Sequence, residues 1–123
     1  MSKYHSKKVL TADGILHDSK KEADRWVQLS LLQKAGHISR LQRQVKFEVI
    51  PGQYEHYARY GKKGQRLQDG IRCIERPCYY VADFVYYEAG EYVVEDCKGM
   101  RTPDYIIKRK LMLKTHKIKI RET

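Results

Sequence analysis

Three cysteines in 123 residues, none in a Cys-x-x-Cys spacing, leave no basis for a disulfide framework or a zinc knuckle. Cys73, Cys78 and Cys97 are odd in number and read as the reduced thiols of a cytoplasmic chain. Long apolar runs are missing too. No stretch approaches the ~18–20 residues of a membrane span, and the charged start Met1-Ser2-Lys3-Tyr4-His5-Ser6-Lys7-Lys8 has no apolar signal-peptide core behind it. A soluble chain with no membrane partner is therefore expected. The five histidines (His5, His17, His37, His56, His116) are dispersed, with no two at ligand spacing, which argues against zinc. Acid is the scarcest commodity: 15 Asp+Glu stand against 25 Lys+Arg, and from Tyr105 to Arg121 there is none at all.

What is present fits one folded unit. A hydrophobic content of 41% and ten tyrosines supply a single core, so the chain reads as one domain over residues 1–123. The net charge of +10 favours a polyanionic partner, nucleic acid before membrane, because neutralising phosphates releases counterions.

Residues 1–17 read as a basic arm carrying Lys7 and Lys8, with short extended pieces near Val9-Leu10 and Ile15-Leu16. Ser19-Lys20-Lys21-Glu22 has the form of a capping box, and Ala23, Trp26, Val27, Ser30 and Leu31 recur behind it at helical spacing, with Leu29, Leu32 and Ala35 widening the stripe, up to Gly36. The pattern predicts a helix over about 19–35. Val45 to Ile50 alternates apolar and polar and stops at Pro51-Gly52, as a strand does. Residues 52–76 form a long insertion, a loop or ragged hairpin returning through Ile71–Ile74. Tyr79–Tyr87 and Tyr92–Lys98 read as strands joined by a turn at Glu88-Ala89-Gly90-Glu91. Thr102-Pro103-Asp104 opens a second helix, with N-cap, proline at N1 and an acid in the first turn, that runs to about Lys114. Lys117 to Arg121 reads as a closing edge strand. The order helix, strand, strand, strand, helix, strand implies an α/β fold, a small mixed central sheet flanked by helices.

The candidate chemistry lies on the hairpin. Side chains alternate along a strand, so Asp96 and Lys98 share one face and Glu95 and Cys97 the other. A two- or four-residue turn pairs residues whose numbers sum to 179, which sets Asp83 directly opposite Asp96, with Cβ atoms ~4.5–5.5 Å apart. Two opposed carboxylates repel unless a cation lies between them, and Mg²⁺ suits one or two carboxylates plus a substrate phosphate. Lys98, on the same face, is placed to orient or deprotonate a water and to stabilise charge developing on a phosphate. Glu22 is the third position of the capping box and also a carboxylate at a helix start, free to complete a metal sphere if the helix packs over the hairpin. Lys108, Lys110 and Lys114, with Tyr105 one turn earlier, form a candidate phosphate-contacting strip. Tyr54, Tyr57 and Tyr60, interleaved with Arg59, Lys62, Lys63 and Arg66, are suited either to stacking on unpaired bases or to pinning the insertion onto the sheet.

This pattern resembles the PD-(D/E)xK nuclease superfamily, whose core has the same α-β-β-β-α-β order. Asp83 matches its first acidic position and Asp96-Cys97-Lys98 its (Asp/Glu)-x-Lys; Glu22 matches an acid on the first helix, and Ala82 stands where proline is usual. The chain is further similar to a family of small phage and prophage proteins akin to Holliday-junction resolvases. Lys3-Tyr4, Asp18-Ser19-Lys20-Lys21-Glu22-Ala23, Leu31-Leu32 with Ala35-Gly36, Tyr80-Val81-Ala82-Asp83-Phe84 and Val94-Glu95-Asp96-Cys97-Lys98-Gly99 leading to Thr102 carry that likeness. The resemblance implies a restriction-endonuclease-like core and Mg²⁺- or Mn²⁺-dependent cleavage of DNA, with branched recombination intermediates as the substrate. It also implies a homodimer in a bacterial cytoplasm, phage or prophage encoded. Glu22, Asp83 and Asp96 would hold metal and Lys98 assist the water. DNA contacts would fall on Lys7, Lys8, Lys62, Lys63, Arg101, Thr102, Tyr105, Lys108, Lys110 and Lys114. The competing readings are a less selective nuclease acting on duplexes, flaps or single strands, a non-catalytic DNA-binding module, and a structural RNA-binding protein.

Overall fold

The computed structural model of the chain describes residues 7–98 and 100–123; the start of the basic arm, including Lys3-Tyr4, and Gly99 lie outside the described residues. The extended pieces expected near the N-terminus pair as a small hairpin, β1 (Val9–Leu10) with β2 (Leu16–His17). Helix α1 (Lys20–Lys34) follows, capped as the sequence predicts, with the Ser19 hydroxyl accepting from the Glu22 N–H at 3.1 Å. It stops where Gly36 takes a φ of +85°, a conformation that costs glycine nothing.

Strand β3 (Ile38–Ile50) is more than twice as long as the expected Val45–Ile50. Its first half is illegible because Arg40 and Gln44 each have a φ of 54°, which interrupts the two-residue alternation. The insertion is a hairpin, β4 (Gln53–Tyr57) and β5 (Gly70–Glu75), forming a sheet of its own. Strands β6 (Cys78–Glu88) and β7 (Glu91–Asp96) meet at a two-residue turn, Glu88 pairing with Glu91, and both turn residues have positive φ, Ala89 at 51° and Gly90 at 80°. That is the signature of a type I′ turn, whose twist matches the strands. Helix α2 (Pro103–His116) is capped by Thr102, whose side chain accepts from the Tyr105 N–H at 3.2 Å.

The closing strand departs from expectation. Only β8 (Arg121–Glu122) pairs, parallel to β7, and Lys117–Ile120 stay outside the sheet. Lys117 caps α2 in the left-handed conformation, its N–H donating to the Leu113 carbonyl, and the Ile118 N–H reaches back to Met112. The chain is still turning out of the helix where the alternation suggested a strand. Ile118 and Ile120 face the core all the same, which is what produced that alternation.

The main sheet runs β3-β6-β7-β8, antiparallel except for the last pair, so it is mixed. With the two small hairpins set aside, the order is helix, three strands, helix, strand. The helices cover opposite faces. Leu29, Ile38, Phe84, Tyr86 and Val93 form the core under α1, while Val49, Tyr80, Ala82, Val85, Val94, Tyr105, Met112 and Ile120 form the core under α2.

These memberships expose a break in the pleat. Tyr80 and Ala82 face α2, yet Phe84 and Tyr86 face α1. An unbroken strand would keep all four on one side. The switch falls at Asp83, and β3 switches beside it: Leu41 packs with the α1 core and Val45, Phe47 and Val49 with the α2 core. Gln44, the positive-φ residue, lies between the pairs Arg43↔Phe84 and Val45↔Ala82, opposite Asp83.

The buried face of α1 takes only part of the expected stripe. Glu22, Ala23 and Leu29 are buried, with Trp26 and Leu32 packed beside them, whereas Val27 and Leu31 are exposed and line an open groove with Thr11, Ala12 and Asp13. Leu29 in the core and Trp26 stacked on Phe84, with ring centroids 6.0 Å apart, hold this orientation, and it carries the Glu22 carboxylate inward at a desolvation cost.

Candidate functional site

The break in the pleat is where the candidate residues meet. Asp96, at the end of β7, is fully buried, and so is its β7 neighbour Glu95. Alternation sends them opposite ways. Glu95 enters the α1 side, where Arg25 donates to it at 2.6 and 2.8 Å and the Tyr86 hydroxyl at 2.6 Å. Its charge is thereby matched and its acceptors filled, so Glu95 is structural, as its position in the strand suggested. Burial first, then the hydrogen bond to Glu95, holds the Tyr86 phenol in its neutral form.

Asp96 enters the α2 side, where the Tyr80 hydroxyl donates to Oδ2. Lys98 Nζ stands 3.0 Å from Oδ1, but off the line of a hydrogen bond, so this buried oxygen has an ionic neighbour and no hydrogen-bond donor. The same ammonium lies 4.4 Å from the centroid of the Tyr105 ring, which steadies a half-exposed side chain. Asp83 lies across β7 next to Phe84↔Glu95, the last paired position, and its Oδ2 accepts from the Cys97 N–H at 2.9 Å.

Electrostatics follow from that crowding. Burial above all, then the hydrogen bond and negative charge of Asp96, push the Asp83 carboxyl up to about 8; the Cys97 N–H opposes this and Glu22 adds to it. Glu22 is raised as well, by burial first and then by Asp18, with Asp96 contributing, while Arg43 and a hydrogen bond from Gln44 at 3.0 Å pull it down. Glu22, Asp83 and Asp96 thus stand close enough to oppose one another's ionisation, and Asp83 keeps its proton up to about pH 8.

A divalent cation relieves that repulsion. Among the described residues no three His, Cys, Asp or Glu side chains already stand as a finished cage. The donor set nonetheless suits a hard ion that keeps most of its waters. It offers three carboxylates: Asp83 and Glu22, both with raised proton affinity and the latter oriented by Gln44, and Asp96, one of whose buried oxygens lacks a hydrogen-bond partner.

Several residues here carry no signal of their own in the sequence. Gln44 and Tyr80 orient Glu22 and Asp96, and Arg43 lies close enough to Glu22 to lower its pKa while donating to the Leu16 carbonyl at 3.4 Å. The only trace of Arg43 and Gln44 is the run of three polar residues, Gln42-Arg43-Gln44, between Leu41 and Val45.

The expected DNA contacts divide. Arg101 is bound to Glu122 at 2.9 Å, and Tyr105 donates its hydroxyl to the same carboxylate at 2.9 Å, with Arg109 at 3.4 Å. Glu122, one residue past the acid-free stretch, therefore gathers charge that the sequence left looking free. Thr102 is occupied as the α2 cap. Along α2, Lys110 and Lys114 lie four residues apart and share an exposed flank, whereas Lys108 lies about 200° round the helix from Lys110 and is half-buried. Lys7 and Lys8 are exposed ahead of β1, and Lys62 and Lys63 are exposed at the tip of the β4–β5 hairpin, a sheet separate from the one that carries Asp83 and Asp96.

No helix among the described residues is long and apolar enough to cross a membrane. One family model, described as “Protein of unknown function (DUF1064)”, matches residues 1–122. No curated protein and no solved structure matches the chain.

Proposed function

We infer that this chain, which belongs over residues 1–122 to the family described as “Protein of unknown function (DUF1064)”, is a divalent-metal-dependent endodeoxyribonuclease built on a restriction-endonuclease-like core. The observation that carries the reading is the meeting of Asp83, Asp96 and Lys98 at a break in the sheet, with Glu22 brought over them by α1. A basic chain that merely bound DNA would gain nothing from opposed carboxylates facing phosphates.

Asp83 and Asp96 would hold Mg²⁺ or Mn²⁺, with Glu22, positioned by Gln44, as the further carboxylate. The bound ion supplies Lewis-acid polarisation of the phosphate and a more acidic water. Asp83 must give up its proton for this, which its raised pKa ties to pH. Lys98, held by Asp96 and the Tyr105 ring, points its ammonium at the same place and orients the attacking water while stabilising charge on the phosphate oxygens. Water adds to phosphorus, one ester P–O bond breaks, and the leaving oxygen takes up a proton. The substrate class that fits the resemblance is branched DNA, such as a four-way junction, cut by two copies acting symmetrically.

Nicking of a labelled four-way junction in Mg²⁺ tests this. Asp83→Ala and Lys98→Ala are each expected to lower the rate by at least about 100-fold, in keeping with loss of a metal ligand or an electrostatic stabiliser, while junction binding persists. Undiminished cutting by both variants would overturn the assignment. Binding of equal strength in EDTA and Mg²⁺, with no DNA structure ever cut, would make the protein a binding module instead.

A further inference from the structure

The β4–β5 hairpin plays no part in the core. Neither hydrophobic cluster contains a residue from it, and Gln53–Tyr57 and Ile71–Glu75 are exposed on both faces of the ribbon. Tyr54 pairs with Cys73 and His56 with Ile71 on one face; Glu55 pairs with Arg72 and Tyr57 with Gly70 on the other. An isolated two-stranded ribbon is marginal in water, and this one leaves Tyr54, Tyr60, Ile71 and Ile74 more than half exposed.

It is nevertheless built as a defined shape. Beyond the paired strands the ladder continues through the Leu67 N–H to the Arg59 carbonyl at 3.0 Å and the bridge Tyr60↔Arg66. It closes with the Gly61 N–H to the Gln65 carbonyl at 2.8 Å, and Gly64 turns the tip with φ +78°. From Gln53 to Gly61 such a strand reaches roughly 27–30 Å. Its outer segment, Ala58 to Gln68, holds Arg59, Lys62, Lys63 and Arg66 and no acid. Arg66 is paired with Asp69 at 2.6 Å; Arg59, Lys62 and Lys63 have no ion-pair partner among the described residues.

We propose that the β4–β5 ribbon is a DNA-gripping arm that enters the major groove of a B-form duplex, tip first. The charge is complementary to phosphate, and the major groove is wide enough to take a two-stranded ribbon. An A-form RNA duplex, whose major groove is deep and narrow, does not admit it. Arg72 over the Tyr57 ring at 4.4 Å and Arg66 over Tyr60 at 5.7 Å are ion-paired with Glu55 at 3.1 Å and Asp69 at 2.6 Å and brace the ribbon, which leaves Arg59, Lys62 and Lys63 as the charges that meet phosphate. This deepens the nuclease reading by naming a duplex arm as the thing held.

The test is fluorescence anisotropy in EDTA on the full chain, with a DNA duplex, an RNA duplex and a DNA single strand of one sequence. The triple variant Arg59→Gln/Lys62→Gln/Lys63→Gln changes three exposed side chains, and circular dichroism and size-exclusion chromatography accompany it. Wild type is expected to prefer the DNA duplex. The variant is expected to lose about 10- to 100-fold in duplex affinity at physiological salt, and its slope of log K against log salt to fall by about 2–3. Unchanged affinity and slope would overturn the proposal, as would RNA duplex or single strand bound as tightly as DNA duplex. A change of oligomeric state with DNA affinity intact would make the ribbon a contact between copies, and overturn it too. Because binding is read without metal, this result is separate from the fate of cleavage in Asp83→Ala.

Discussion

Asp83 retains its proton to about pH 8 because burial and the neighbouring Asp96 both oppose its charge. In the unfolded chain the same carboxyl ionises near its ordinary value of 3.8. Between those limits the native state therefore binds more protons than the unfolded one, so the stability of the metal-free protein falls as pH rises from about 4 to about 8. Glu22, also raised, acts in the same direction. Urea unfolding in EDTA across that range is expected to show the decline, and Asp83→Asn to flatten most of it. A stability that rises over the same interval would contradict the crowding of carboxylates described above. Asp83 and Asp96 were visible as partners because hairpin register is arithmetic on residue numbers. Gln44 and Tyr80 were not, since their importance comes from which carboxylate they touch, and contact across 22 or 16 residues leaves no local pattern.

At the scale of elements, caps and turns were the most legible features. Ser19, Thr102 and Ala89-Gly90 work through hydrogen bonds and dihedral angles set within a few residues, so sequence and outcome coincide. Strand limits were less readable wherever backbone twist replaced alternation, as at Arg40, Gln44 and Lys117, all non-glycine residues with positive φ. The type I′ turn offers a direct check. Ala89 occupies a position that asparagine tolerates better, and Ala89→Asn is expected to raise stability by about 0.5–1 kcal/mol, measured by urea denaturation. A loss of stability would show that the turn is not the type its φ angles indicate. Of the stripe expected on α1, Ala23, Trp26, Leu29 and Leu32 face inward and Val27 and Leu31 do not. The helix seats Leu29, Trp26 and Leu32 on the sheet, which brings Glu22 inward with them.

At the scale of the molecule, the order of core elements followed from the sequence, while the separation of the ribbon from that core did not. Tyrosines at 54, 57 and 60 suit a pinned loop as well as a free arm, and only the structure leaves them exposed. Independence has a thermal consequence. Ile50 and Cys78 are paired across β3 and β6, so replacing residues 52–76 with a short glycine-containing turn closes the gap with little strain. The thermal midpoint of that shortened chain is expected to stay within about 5 °C of wild type, a shift of about 1 kcal/mol for a domain of this size. Differential scanning calorimetry would reveal a larger drop if the arm supported the core.

The ribbon is rooted in the same two strands that carry Gln44 and Asp83, and it leaves them only five residues past Asp83's end of the pairing, at Cys78. A stiff two-stranded strip clamped at one end behaves as a cantilever. Load applied at Lys62 and Lys63 becomes torque at its root, where the β3–β6 register already shifts between Glu48 and Ile50. Between that root and the carboxylates lie Val49, Tyr80 and Ala82 of the core under α2, so a pull on the tip meets packed side chains before it reaches Asp83.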